Sequence, residues 1–148
     1  MARGYPDFFG TPIFPNYGPL EQDDSGGFII ATGTDETLIN ITGKGRFYSG
    51  RLRYNGIGDV VNLTFPIITV DGDIVTYEPP YETFIYGYYL DKSRVINLVQ
   101  YEKTTTGQNV VYMFCKDFLW GESLEVKLQN DSGNIITGRC WVEWAEVI

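Results

Sequence analysis

The amino-acid sequence predicts an all-β protein, an antiparallel β-sandwich that is jelly-roll-like and carries an extended N-terminal arm. Roughly eight strand-forming runs recur at short intervals, separated by turns rich in Gly and Asp, and no apolar period of 3.6 residues lasts long enough for a helix. A chain of 148 residues buries roughly 70% of its unfolded surface, which is enough for one apolar core. Two packed sheets cover such a core better than a single open sheet does.

Residues 1–27 are predicted to form the arm and a hinge, and residues 28–148 the sandwich. Four of the seven prolines lie among the first 20 residues, where they remove backbone donors and prevent a regular helix or a central strand. The aromatic residues between them need apolar cover, so we expect them to anchor the arm on a partner or neighbouring subunit, or alternatively on its own domain. These predicted anchors are Tyr5, Phe8, Phe9, Phe14 and Tyr17. The acidic stretch Glu21 to Gly27, which ends in Ser-Gly-Gly, is the predicted hinge.

The first predicted strands follow this hinge directly. Gly27 to Thr32 is a short apolar run, and Leu38 to Ile41 is rich in β-branched residues. The triplet Gly43-Lys44-Gly45 is predicted to be a turn or bulge, since it lacks the spacing of a phosphate-binding loop. Phe47 to Tyr54 is predicted to be a strand that Ser49-Gly50 breaks.

Hairpins dominate the second half of the predicted sandwich. Asp71-Gly72 is the turn of the clearest hairpin, because this dipeptide suits the positive φ angles of a tight turn between two β-branched runs. A second hairpin pairs Val95 to Tyr101 with Val110 to Phe114. Ser123 to Gln129 alternates apolar and polar residues as a half-buried strand does, and Ile135 to Glu146 is the last predicted strand.

Composition and charge argue against several functions. The net charge of −8, from 11 basic and 19 acidic residues, disfavours nucleic acid and anionic membranes as partners. The chain has no histidine, so mechanisms and metal sites that depend on imidazole are excluded, and we expect no enzyme, no metal and no cofactor. The acidic pairs Asp23-Asp24 and Asp71-Asp73 are weak calcium candidates that a solvated hinge and a hairpin turn explain better. Cys115 and Cys140 are predicted to be free thiols.

A basic segment stands out against the acidic background. Lys44, Arg46, Arg51 and Arg53 lie within ten positions, and strand alternation places Arg51 and Arg53 on one face. This segment is either a solvated strand face or a docking face for the acidic surface of a partner or an identical subunit. Arg46, Arg51 and Arg53 are therefore predicted partner-binding residues.

Aromatic residues make up 16% of the chain, and two uses of them compete. If they form a solvent-facing platform, the protein is a carbohydrate-binding module; if they are divided between core and subunit contacts, an assembly protein fits better. The residues concerned are Tyr81, Tyr86, Tyr88, Tyr89, Trp120 and Trp141.

Four patches carry a resemblance to a known group of proteins. They are the leader Gly4-Tyr5-Pro6-Asp7-Phe8-Phe9-Gly10, then Ile41-Thr42-Gly43-Lys44-Gly45, Thr69-Val70-Asp71-Gly72, and Ser123 to Asn130. With these patches the chain resembles small virion structural proteins of tailed bacteriophages, such as capsid decoration proteins and small tail components. The resemblance implies a β-sandwich that forms homotrimers or other rings, grips a major capsid or tail protein through a terminal arm, and contributes no catalytic residues. It implies a virion location after synthesis in the host cytoplasm; the alternative is a carbohydrate-binding module of a host-recognition apparatus.

Overall fold

The computed structural model describes residues 16–58, 60, 63–77, 95–114 and 118–148. Within these residues the chain forms only β-strands, and no helix long and apolar enough to cross a membrane occurs among them. The strands are β1 (Tyr17–Ile30), β2 (Thr34–Thr42), β3 (Gly45–Gly56), β4 (Thr64–Val70), β5 (Asp73–Tyr77), β6 (Ile96–Lys103), β7 (Gln108–Phe114), β8 (Phe118–Trp120), β9 (Ser123–Asn130) and β10 (Ile136–Val147).

The strands form two antiparallel sheets, which confirms the predicted sandwich. The larger sheet has the order β1-β10-β3-β7-β6, with β8 also paired to β3, and the smaller sheet has the order β2-β9-β4-β5. The pairs β1–β10, β2–β9, β3–β7 and β4–β5 are nested, since each inner pair lies within the sequence span of the one before. Nested pairs divided between two sheets are the arrangement of a jelly roll.

One hydrophobic core joins the two sheets. Phe47, Leu52 and Tyr54 of β3 enter it from the larger sheet, and Leu124 and Val126 of β9 enter it from the smaller one. The alternation predicted for Ser123 to Gln129 is confirmed, because every second residue from Leu124 to Leu128 is fully buried. The core is therefore built by period-two patterning on both sheets.

The tight turns follow the predicted turn chemistry. Asp71 and Gly72 have φ angles of 51° and 86°, so the Asp-Gly dipeptide makes the predicted hairpin turn between β4 and β5. The hairpin of β6 and β7 is also confirmed. Gly43 has a φ of 100° between β2 and β3, as the turn predicted there requires.

Two predictions in the first third of the chain are wrong. The expected hinge Glu21 to Gly27 is part of β1, which pairs with β10 from Tyr17 onwards and has a bulge between Asp24 and Gly27. Gly26, with a φ of 68°, lies in this bulge. Ser25 Oγ accepts a hydrogen bond from the Cys140 amide, so these turn-forming residues remain part of the sheet. The expected break at Ser49-Gly50 is also absent, since β3 is continuous there. Gly50 is needed because a Cβ would lie 2.7 Å from the Phe114 ring.

Candidate binding surface

The outward side of the larger sheet carries a group of cations around one tryptophan. On β3, Leu52 and Tyr54 point into the core, so Arg51 and Arg53 share the opposite face, as predicted, and the structure shows that both are exposed. The register places Arg53 opposite Arg139 and Arg51 opposite Trp141 on β10. We call the surface formed by Arg51, Arg53, Arg139 and Trp141 the arginine face.

Two grooves adjoin each other on the arginine face. One, of about 340 Å³, is lined by Gln22 and Asp24 of β1 together with all four residues of the face. The other, of about 490 Å³, runs from the same Arg51 and Arg53 across β7 to Val99 and Gln100 of β6. Both volumes lie within the range of roughly 300–1,000 Å³ that is usual for small-molecule sites.

Bulges in the two bordering strands explain how a sheet face becomes concave. The bulge in β1 lies between Asp24 and Gly27, and the bulge in β6 lies between Leu98 and Gln100. A bulge bends its strand and redirects the neighbouring side chains. Residues next to the bulges, Asp24 and Gln100, accordingly line the grooves on either side of the arginines.

Of the three arginines of the face, only Arg139 forms an ion pair with a described residue. Arg139 donates three hydrogen bonds to Asp24, from Nε to Oδ1 at 2.9 Å and to Oδ2 at 3.1 Å, and from Nη2 to Oδ2 at 2.6 Å. The Arg139 hydrogen bond, with help from the Gly26 amide, holds the pKa of Asp24 below its usual value. The side chains of Arg51 and Arg53 make no ion pair or hydrogen bond with any residue that the structure describes. Two cationic groups therefore remain available on an acidic protein.

Arg46 has a different environment from the other predicted partner-binding arginines. Its guanidinium lies 5.4 Å from the centre of the Tyr17 ring and 5.1 Å from that of Tyr48, and Nη1 donates to the Tyr17 hydroxyl at 3.4 Å. Both distances are within cation–π range. The structure therefore brings Tyr17 and Arg46 together, five strand positions away from Arg51, and uses Arg46 to hold the start of β1.

The remaining predicted residues have mixed outcomes. Four of the arm anchors, Tyr5, Phe8, Phe9 and Phe14, lie outside the described residues, as do Cys115 and the tyrosines Tyr81, Tyr86, Tyr88 and Tyr89. Trp120 is only 3% exposed and packs against Gly45, so it cannot belong to a sugar platform. Trp141 is partly exposed on the arginine face. Cys140 is a free thiol, as predicted, and burial raises its pKa to about 12.

Three of the four carboxylates in the acidic pairs, those of Asp23, Asp24 and Asp71, accept internal hydrogen bonds. Asp71 accepts hydrogen bonds from the backbone amides of Gly121, Glu122 and Ser123 at 2.6–3.1 Å, and these bonds hold its pKa below the usual value. Asp23 accepts a hydrogen bond from Trp144 Nε1 at 3.2 Å. Within the described ranges, no three Cys, Asp or Glu side chains converge as metal ligands would. The calcium interpretation of these pairs therefore has no geometric support there.

Sequence reasoning missed both long-range contacts of these carboxylates. Asp71 and Gly121 are 50 positions apart, and Asp24 and Arg139 are 115 apart. No local pattern marks such partners; only the strand register brings them together.

Comparison with known proteins gives no family assignment. No protein-family model matches this chain, and a search of curated proteins finds no significant match.

Proposed function

We propose that this chain is a structural protein of a bacteriophage virion, a capsid decoration or head–tail component, which assembles with itself and docks on the particle through residues 1–15. Its partners are other copies of the chain, with a trimer as the expected form, and the major capsid or tail protein. Its activity is binding, not catalysis. The observation that carries this proposal is the fixed root of this segment, Asn16 and Tyr17, which the structure holds at the edge of the larger sheet.

The root is held by backbone and side-chain contacts together. The Ile148 amide donates to the Asn16 carbonyl at 2.7 Å, and Tyr17 pairs with Val147 at the end of β10. Arg46 then lies over the Tyr17 ring. A binding segment that is joined to a fixed point loses less conformational freedom on binding than one that is joined to a flexible hinge, and this favours docking.

Exposed apolar side chains surround this root. Leu20, Tyr48, Leu119 and Ile148 are 57%, 40%, 57% and 74% exposed, and Leu119 pairs with Arg46 across β8 and β3. Apolar groups gathered near one point are typical of surfaces that a partner covers. Jelly rolls also occur in viral capsid domains, which agrees with the proposal, although a fold by itself does not define a function.

The test compares the full chain with a variant that begins at residue 16. This boundary keeps all of β1, whereas removal of the first 20 residues would delete its paired start. We expect the shortened chain to melt like the full chain but to remain monomeric in light scattering, since four of the five predicted aromatic anchors are gone. A shortened chain that still assembles, or one that unfolds, would contradict the proposal.

Point variants separate the aromatic anchors from the length of the arm. Phe8→Ser with Phe9→Ser should abolish assembly in a chain of unchanged length. The matched control is Ile74→Ser with Val75→Ser, which removes two exposed apolar side chains from β5 at the edge of the smaller sheet. That control should assemble normally; equal loss in both variants would mean that general surface hydrophobicity drives association.

A further inference from the structure

We propose that the arginine face binds an oligosaccharide that carries isolated carboxylates among neutral sugars. The site does not depend on the arm, so it is separate from the assembly role proposed above. Three features of the face support it: two unpaired arginines, a partly exposed tryptophan, and hydrogen-bonding groups along both grooves.

The arginines determine the sign of the ligand. The side chains of Arg51 and Arg53 are exposed and form no ion pair with a described residue, whereas Arg139, which lines only the smaller groove, is neutralised by Asp24. A guanidinium presents a planar fork of donors that matches a carboxylate. The ligand must therefore bring one or two acid groups to the line shared by the two grooves.

The surrounding carboxylates limit how densely charged the ligand can be. Asp24 lies at the wall of one groove, and Glu102 lies in the other, where it accepts a hydrogen bond from Asn109 at 3.2 Å. Together with the net charge of −8, these groups repel a polyanion with an acid on every unit. They accept hydrogen bonds from hydroxyl groups, so neutral sugars suit the flanks of the site.

Trp141 supplies the third element of sugar recognition. It lines the smaller groove beside Arg51, its neighbour across β3 and β10. An indole offers a flat apolar surface on which the C–H face of a sugar ring can pack. The larger groove continues across β7 along Val111 and Met113 to β6, so a chain of several sugars can cross the strands with its acid group at the arginines.

The binding test uses a hyaluronan octasaccharide, in which every second sugar bears a carboxylate, and isothermal titration calorimetry. A neutral chitooligosaccharide and a heparin oligosaccharide of equal length provide the comparisons. We expect binding to hyaluronan that weakens with added salt, and weaker binding to the other two. No binding to hyaluronan, or tighter binding to either comparison glycan, would overturn the proposal.

Two double variants test whether the oligosaccharide binds on the arginine face. Arg51→Gln with Arg53→Gln should weaken binding at least about tenfold, since it removes two charge-assisted contacts. Lys44→Gln with Lys127→Gln is the matched control, because it also lowers the net charge from −8 to −10 but changes residues outside both grooves. An equal loss of affinity in the two double variants would show that binding depends only on overall charge, and it would contradict a binding site on the arginine face.

Two further measurements complete the test. The ligand-induced change in tryptophan fluorescence should disappear in Trp141→Phe, and its persistence would contradict stacking on Trp141. An oligo-glutamate peptide should bind more weakly than hyaluronan. If the peptide binds more tightly, the face takes an acidic protein segment and the glycan proposal is wrong.

Discussion

The two faces of the larger sheet differ in what their side chains contact. On the inner face Phe47, Leu52 and Tyr54 are buried against the smaller sheet, and the Tyr54 hydroxyl lies 2.7 Å from that of Thr64. On the outer face Arg51 and Arg53, from the same strand, have no partner among the described residues. The inner face therefore determines stability, and the outer face retains interaction capacity for a ligand.

The largest effect expected on the inner face comes from Gly45→Ala. A Cβ there would overlap the buried Trp120 ring, so one of the two strands must move. We expect the free energy of unfolding to fall by about 1–3 kcal/mol, measured by urea denaturation. The control is Gly27→Ala on β1, where nothing lies within 4 Å of a new Cβ, and it should change stability by less than about 0.5 kcal/mol. Equal effects would show that Trp120 does not pack closely on β3.

A second prediction distinguishes two buried hydroxyl groups in stacked rings. Thr64 Oγ1 lies 2.5 Å from the Val60 carbonyl; since a hydroxyl has one proton, Thr64 donates there and accepts from Tyr54. Tyr112, whose ring is 6.1 Å from that of Tyr54, has a buried hydroxyl that makes no hydrogen bond of ordinary geometry with a described residue, although the Tyr54 hydroxyl is close enough to affect its pKa. Tyr54→Phe should therefore cost about 1 kcal/mol of unfolding free energy, and Tyr112→Phe should be neutral or stabilising.

The melting temperatures of the Tyr54→Phe and Tyr112→Phe variants test this predicted difference in stability. Burial raises the pKa of Tyr54 to about 12 and that of Tyr112 well above 10, so both stay protonated at neutral pH and ionisation does not complicate the comparison. A Tyr112→Phe variant as unstable as Tyr54→Phe would reveal a partner for the Tyr112 hydroxyl.

Much of the inner face could be predicted from the sequence, because period-two alternation and the Asp-Gly turn are local signals. Alternation alone places Leu52 and Tyr54 on one face and Arg51 and Arg53 on the other, and the structure agrees and shows that the first pair faces the core. The hinge prediction for Glu21 to Gly27 failed because its turn-forming residues are held in β1 by partners on β10, more than 100 positions away.

The candidate site could be predicted only in part. The sequence identified Arg46, Arg51 and Arg53 as one basic group, but it could not show that Arg46 is enclosed by Tyr17 and Tyr48 while the other two remain unpaired. It named both Trp120 and Trp141 as candidates for a solvent-facing aromatic platform. Of the two, only Trp141 lies on the outer face. Strand register decides these differences, and register is a property of the whole fold.

The third prediction compares arginines within the outer face. Arg46→Gln removes a cation from two aromatic rings and should lower the free energy of unfolding by about 0.5–1 kcal/mol. Arg51→Gln should leave stability within about 0.5 kcal/mol of the natural chain, since the Arg51 side chain forms no ion pair or hydrogen bond with a described residue. Chemical denaturation of both variants tests the difference, and equal effects would mean that Arg51 also has a structural role.

The smallest effect concerns the pH dependence of the Asp71 contact. The amides of Gly121, Ser123 and Glu122 lower the pKa of Asp71 in the folded state below its unfolded value of 3.8. Its contribution to stability is therefore present above that value and is lost as pH falls through the folded pKa. Asp71→Asn keeps a residue that tolerates the turn conformation, and it should show a smaller drop in urea midpoint than the natural chain between about pH 7 and about pH 2.5.

Asp73→Asn is the matched control for this prediction. Asp73 lies in the same hairpin and is exposed. The control should keep the full pH dependence of the natural chain. If it reduces the drop as much as Asp71→Asn does, the effect comes from the charge of the hairpin and not from the three amide hydrogen bonds.

Self-assembly is the central claim, and the solution mass of the full chain tests it most directly. Light scattering after size exclusion, repeated over a range of concentrations, should give about three times the chain mass of 16.8 kDa. A stable trimer or larger ring would support an assembly protein docked through its arm. A mass of one chain at every concentration would contradict self-assembly, and the arginine face would then be the better indication of what this protein does.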